Sequence, residues 1–186
     1  MGRTSFDHMN CSIARTLDVI GDSWTPLIMR DVAFGITRFD AIQRDLGISR
    51  KVLSERLAAL VEQGVLERVA YQDKPARYDY YATDKGADLA SVLLAMQAWG
   101  DRWFFGERGP IQFRHETCGA VVSPVQACAS CGERLHVADI TPLPGPGFEP
   151  GPGTSEVSAA LERWQAARAD AAEAAGAARA AGAAPR

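Results

Sequence analysis

The sequence predicts a mainly α fold carrying one small β hairpin, and three observations lead there. Apolar residues recur at helical spacing in successive short segments between residues 10 and 105. Between the last two of these segments the period changes, and residues 65–71 and 77–82 are rich in the β-branched and aromatic types that favour strands. Glycines stand where each helical pattern stops, at Gly21, Gly35, Gly47 and Gly64.

Taken in order, Ile13, Leu17 and Ile20 form a first helical stripe that Gly21 ends. Ser23 is placed to cap a second helix carrying Trp24, Leu27, Ile28 and Val32, with Pro26 tolerated in its first turn. Thr37-Arg38-Phe39-Asp40 reads as a capping box for a short third helix ending at Leu46-Gly47. Ser49 caps a fourth helix reaching Gln63. Residues 72–76, with Pro75, form the loop between the two strands. Thr83 and Asp84 then open a long last helix with Leu89, Val92, Leu93, Met96, Trp99 and Trp103. Helix, helix, helix, turn, helix, hairpin, helix is the order of a winged helix-turn-helix.

Composition bounds the rest. The 186 residues are 47% hydrophobic and 23% charged, which suits one globular domain with appendages. The expected divisions are a winged DNA-binding and dimerisation domain over residues 10–108, a cysteine-rich appendage over 112–140, a Pro/Gly linker over 141–153 and an alanine-rich tail over 154–186. The tail should form at most a short, fraying helix around Val157, Leu161 and Trp164, and otherwise be disordered. No stretch reaches the roughly 18 apolar residues of a membrane span. The first ten residues lack an apolar leader core, so a cytoplasmic protein is expected. There the four cysteines would be reduced, favouring metal ligation or thiol chemistry over disulfides.

The helix-turn-helix carries the functional reading. If the fourth helix turns Leu53, Leu57, Leu60 and Val61 inward, Lys51, Val52, Glu55 and Ala58 face outward. Lys51 can donate to guanine, Glu55 can accept from cytosine, and Val52 can meet a thymine methyl. Ser49, Arg50, Ser54 and Arg56 suit phosphates, which position a helix without reading sequence. Arg38 joins this basic face, and Lys74 and Arg77 bracket the hairpin tip like a wing lying along the DNA backbone. The balance of charge argues the other way. The formal net charge is −3, and residues 36–85 hold nine Lys/Arg against eight Asp/Glu. DNA affinity must therefore come from where charges sit and from doubling them in a dimer. The competing reading is a protein-interaction module. An enzyme is disfavoured by three histidines in all, no nucleophile–base pairing and no glycine-rich phosphate loop.

These residues resemble the HxlR family of winged-helix regulators. The likeness runs through residues 11–21, Trp24-Thr25-Pro26-Leu27-Ile28, Arg38-Phe39, residues 47–57, Gly64-Val65-Leu66 and residues 80–86, and spans about residues 11–103. It implies a homodimeric repressor or activator, paired through its first and last helices on a two-fold operator; a repressor is the expectation, and a small-molecule effector is a further candidate partner. Leu17, Leu93, Met96, Trp99 and Trp103 are the interface candidates. Some members of the family sense oxidants through a cysteine at the position matching Cys11. A helix N-terminus favours thiolate there, although Cys11 can equally be a small residue filling the dimer interface.

In the appendage, His115-Glu116-Thr117-Cys118-Gly119 and Cys128-Ala129-Ser130-Cys131-Gly132 each place two ligands three apart with a glycine after the second. Together they offer one nitrogen and three sulfurs, a closed set for one structural zinc per chain. His136 is a poorer substitute for His115.

Overall fold

The computed structural model describes residues 5–106 and 108–182. Residues 19–134 form one compact unit, and the residues before 19 and after 134 form another. The elements are α1 (Ser12–Ile20), α2 (Thr25–Ala33), α3 (Phe39–Leu46), α4 (Arg50–Glu62), β1 (Leu66–Asp73), β2 (Ala76–Ala82), α5 (Asp84–Phe104), β3 (Phe113–Arg114), β4 (Val121–Val122), a 3-10 turn (Val137–Asp139) and α6 (Ser155–Gly182). Among the described residues, no helix is long and apolar enough to cross a membrane.

The core of the larger unit is built where α2, α3 and α4 meet the start of the hairpin. Ile28 and Met29 of α2, Ile42 of α3, Leu53, Leu57 and Leu60 of α4, and Val65 and Leu66 are all buried. The three leucines of α4 follow i, i+4, i+7 spacing, so one stripe of that helix faces the core. Each such leucine contributes about 1.5–3 kcal/mol by leaving water, which fixes the rotation of α4 about its axis. Its opposite face is thereby committed to solvent.

Helix starts differ from the sequence reading in two places. The start of α2 is held by Asp22 and not by Ser23: Trp24 is the N-cap residue and makes no side-chain cap, while Asp22 Oδ1 accepts from the Trp24 and Thr25 amides at 2.9 and 3.0 Å and Oδ2 accepts from the Thr25 hydroxyl at 2.6 Å. The expected capping box before α3 does not form. Arg38 is the N-cap residue without a side-chain cap, and Thr37 Oγ1 instead donates to Asp79 Oδ1 at 3.0 Å. That bond, with the Tyr80 amide donating to the Thr37 carbonyl at 2.9 Å, ties the helix-turn-helix to the second strand. Ser49 caps α4 as expected, accepting from the Val52 amide at 3.3 Å.

β1 and β2 pair antiparallel from Leu66↔Ala82 to Asp73↔Ala76, with a register shift between Ala70 and Gln72. The loop is therefore Lys74-Pro75 alone, shorter than residues 72–76, and the Lys74–Pro75 peptide is cis. Thr83 joins the hairpin to α5. Its hydroxyl accepts from the Gly86 amide at 3.2 Å and contacts the Gly64 carbonyl at 2.7 Å, while its amide donates to the Val65 carbonyl at 3.1 Å.

In the smaller unit, the Phe6 amide donates to Asp18 Oδ1 at 2.9 Å, and the Asn10 side chain donates to the Gly147 carbonyl at 3.0 Å. Helix α6 follows Thr154, which is buried. At 28 residues it is longer than the short helix expected. Alanine's intrinsic preference, repeated along the tail, accounts for helical backbone there without a docking surface.

Candidate nucleic-acid interface

The helix-turn-helix pivots on Gly47, which takes a left-handed conformation with φ of 62° between α3 and α4. A side chain there would be strained, and the tight turn directs α4 away from α3. With Leu53, Leu57 and Leu60 inside, Lys51, Ser54, Glu55 and Ala58 stand exposed on the outer face. Val52 is half-buried and packs against the core, so only part of it is offered to solvent.

Arg56 is placed differently from the expectation that it reaches a phosphate. It is half-buried, and its guanidinium lies 3.6 Å from Asp22 Oδ2. Arg56 thus joins α4 to the start of α2.

Beside Lys51 lies a cleft of about 610 Å³ between α4 and the hairpin. Arg50, Lys51 and Ser54 line one side, and Tyr71, Pro75, Arg77 and Tyr78 the other. Two of the predicted arginines are held in place by partners the sequence reading missed. Arg50 stacks over Phe39 with 4.9 Å to the ring centroid and donates to Asp40 Oδ1 at 2.9 Å. Arg38 stacks over Tyr71 at 4.8 Å and lies 3.5 Å from Asp79 Oδ1. Planar guanidinium on an aromatic face is held in orientation while still presenting N–H groups at its edge. Lys51, Lys74 and Arg77 are exposed and make no ion pair among the described residues. The aromatic platforms were signalled by the alternation of Arg68, Tyr71, Tyr78 and Tyr80 across the hairpin, where Arg68 also stacks on Tyr78 at 4.8 Å.

On α5, Met96, Trp99, Trp103 and Phe104 are exposed, the two tryptophans by 59% and 66%. Trp99 meets Phe104 edge to face at 5.4 Å. Leu93 is different: it is half-buried against the core and belongs largely to this chain's own packing. Leu17 and Ile13 of α1 are also exposed. Cys11 is half-buried immediately before α1, with its carbonyl accepting from the Arg15 amide at 3.0 Å.

In the appendage, His115 Nδ1 lies 3.3 Å from Cys118 Sγ. The amides of Cys131 and Ser130 and the Cys131 side chain, all directed at the Cys128 sulfur, hold its thiol below the ordinary range. Among the described residues, no three His, Cys, Asp or Glu side chains converge closely enough to hold a metal ion, so the four candidates stand as two pairs. His136 precedes the 3-10 turn and belongs to neither pair.

An exposed helix face beside a basic, aromatic-lined hairpin defines a winged helix-turn-helix transcriptional regulator. The HxlR-like helix-turn-helix model matches residues 19–107. An uncharacterized HTH-type transcriptional regulator of Mycobacterium tuberculosis is 42% identical over 139 residues, covering 74% of this chain and 88% of its own length. The chain belongs to the HxlR-like helix-turn-helix family. The proposed regulatory protein MalR of Fusobacterium mortiferum is 35% identical over 92 residues, which is 48% of this chain and 87% of MalR. Among solved structures, the proposed transcription factor PA1607 superposes with a TM-score of 0.65 at 37% identity, covering 74% of this chain and 96% of its own. A proposed transcription factor of Pseudomonas aeruginosa, PA1374, gives 0.54 at 41% identity, covering 75% and 95%. A match over 74% of this chain cannot fit within 186 residues without including the cysteine-rich appendage, so the likeness to the mycobacterial relative extends past the winged domain.

Proposed function

We propose that the protein is a homodimeric repressor that binds a two-fold related operator in double-stranded DNA. The carrying observation is that α4 buries its leucine stripe and leaves Lys51, Ser54 and Glu55 on one exposed face, next to a hairpin tip carrying Lys74 and Arg77. Lys51 and Glu55 read base edges in the major groove. Ser49, Arg50 and Ser54 fix register on phosphates, and Lys74 and Arg77 follow the backbone beyond it.

Two copies are required for affinity, because one copy, with Lys51 on α4 and Lys74 and Arg77 on the hairpin as its candidate DNA-contacting cations outside ion pairs among the described residues, offers too few phosphate contacts. The exposed Met96, Trp99, Trp103 and Phe104 of α5 supply the self-complementary apolar surface that a two-fold dimer needs. Footprinting on the DNA upstream of the protein's own gene should reveal a protected palindrome with half-sites about one helical turn apart. The double substitution Trp99→Glu, Trp103→Glu should halve the mass in solution and lower operator affinity at least tenfold. A variant that keeps both dimer mass and full affinity would remove α5 from the interface, and protection without half-sites would refute the two-fold reading.

A further inference from the structure

The part of the cysteine-rich appendage that belongs to the larger unit, residues 112–134, has no core of its own. None of its residues is buried, and Phe113, Pro124 and Cys128 alone are half-buried. Its regular structure is the two-residue β3–β4 ladder and one isolated bridge between Ala127 and Arg134. So little apolar burial cannot offset the entropy of ordering more than twenty residues, at about 1–2 kcal/mol each. Something other than a hydrophobic core must hold this segment.

The backbone shows what that is built to be. The segment contains two turns with the same construction. In the first, the pair Arg114↔Val121 closes the ladder, the His115 amide donates to the Ala120 carbonyl at 2.8 Å, and the Gly119 amide donates to the His115 carbonyl at 2.7 Å. In the second, the pair Ala127↔Arg134 closes the ladder, the Cys128 amide donates to the Glu133 carbonyl at 2.8 Å, and the Gly132 amide donates to the Cys128 carbonyl at 2.8 Å. Gly119 and Gly132 occupy the same left-handed position, with φ of 73° and 76°. Each turn thus presents its first residue and the residue three later on one side, His115 with Cys118 and Cys128 with Cys131.

A hairpin needs none of this repetition to reverse direction. A chelating turn does, because both donors must reach one ion while nearby amides stabilise the sulfur's negative charge. The spacing is also right. Two ligands on a tetrahedral zinc, one nitrogen at about 2.0 Å and one sulfur at about 2.3 Å, stand about 3.5 Å apart. His115 Nδ1 and Cys118 Sγ are 3.3 Å apart.

We propose that one structural zinc draws the two turns into a single site, with His115 Nδ1 and the thiolates of Cys118, Cys128 and Cys131 as its four ligands, since among the described residues these side chains do not converge three at a time without it. Binding converts one Zn²⁺, three thiols and a neutral imidazole into the complex, with release of three protons and no change of oxidation state. The metal joins the two pairs, and its binding free energy does for the appendage what a core does elsewhere. Four protein ligands leave no position for water, so the site holds structure rather than performing chemistry.

The test uses the full chain, purified without chelator or metal-affinity steps. Elemental analysis should find about one zinc per chain, and Cys118→Ser and Cys131→Ser, one from each turn, should each lower it below half. Cys11→Ser, which lies outside the set, should leave it unchanged. Cobalt(II) substituted for zinc should show a thiolate charge-transfer band, and titration with an organomercurial should release the zinc as three thiols beyond Cys11 are converted to mercury thiolates. Zinc below half an equivalent in the parent chain overturns the proposal. So does a Cys118→Ser variant that keeps a full equivalent, since the two turns would then act separately. None of these readouts involves DNA, so the outcome stands apart from the operator reading.

Discussion

If Lys51 at the groove and Lys74 and Arg77 along the backbone are the uncompensated cations that each chain brings to the duplex, with Arg50 donating to phosphate while its charge stays matched by Asp40, the salt dependence of operator binding is set by counting those three. Each is exposed and outside every ion pair among the described residues, whereas Arg50 and Arg38 are already matched by Asp40 and Asp79. A dimer then brings about six uncompensated charges to the duplex, and log K should fall against log salt with a slope of about −5. Between about 50 and 200 mM salt that slope costs about a thousandfold in affinity. The substitution Lys74→Ala, Arg77→Ala removes four of the six, so its slope should flatten to about −2, while Lys51→Ala should give about −3.6. Asp40→Asn is the reverse perturbation: it frees Arg50 and should steepen the slope by about 1.8. Fluorescence anisotropy with one labelled operator across a salt series measures all four proteins. A parent slope shallower than about −2, or a double variant indistinguishable from the parent, would refute this account of how a chain of net charge −3 holds DNA.

Two further outcomes concern the scaffold that aims this face. A Cβ added at Gly86 would stand 2.2 Å from the Val65 carbonyl oxygen and 3.3 Å from the Ala82 side chain, both at the junction of hairpin and α5. Gly86→Ala should therefore destabilise by about 1–3 kcal/mol, the overpacking exceeding the roughly 1 kcal/mol that alanine gains within a helix; urea unfolding with an unchanged or higher midpoint would contradict the packing described. Burial raises the Asp22 pKa, but the Thr25 hydroxyl, the Thr25 and Trp24 amides and Arg56 together outweigh it, leaving Asp22 below its ordinary 3.8. The stability this adds is fully present above pH 3.8 and is lost as pH falls through the lower folded value. Asp22→Ala should cost about 2 kcal/mol at neutral pH, and its gap from the parent should shrink below about pH 4; a gap constant from pH 7 to 2 would show that the carboxylate's charge plays no part.

What was legible in the sequence, and what was not, divides by distance along the chain. The leucine stripe of α4, the Ser49 cap and the Gly47 turn were legible because each depends on neighbours within about one helical turn. Ser23 was expected to cap α2, but the first amides go to Asp22 instead, because both are good capping types and only the backbone decides which oxygen reaches them. The capping box failed for a different reason. Thr37 has a local option in Asp40 and a distant one in Asp79, and the hairpin's arrival 42 residues later selects the second. Arg56 is turned from phosphate to Asp22 in the same way, by a partner 34 positions earlier. Lys74-Pro75 forms the whole turn because Asp73 and Ala76 pair across it, which a rule that ends strands near proline does not foresee.

These distant contacts also explain how a nearly neutral domain can offer a positive face. The acidic residues of the helix-turn-helix are not spread as a repelling background. Asp22, Asp40, Asp45 and Asp79 are each within 3.6 Å of a particular arginine, so their field is largely cancelled close to its source. Lys51 at the outer edge of α4 and Lys74 and Arg77 at the hairpin tip make no ion pair among the described residues. At about 8–10 Å, the screening length at ordinary salt, a phosphate there responds to these nearby charges far more than to the total of the chain. Net charge is thus a poor guide to this surface, and the pairing of individual carboxylates is the better one. Glu55 is not cancelled in this way, since it makes no ion pair among the described residues. It is exposed on the outer face of α4 and would repel backbone phosphates, so on the proposed DNA-binding reading its place there is favourable only where a base edge donates to it, as cytosine does.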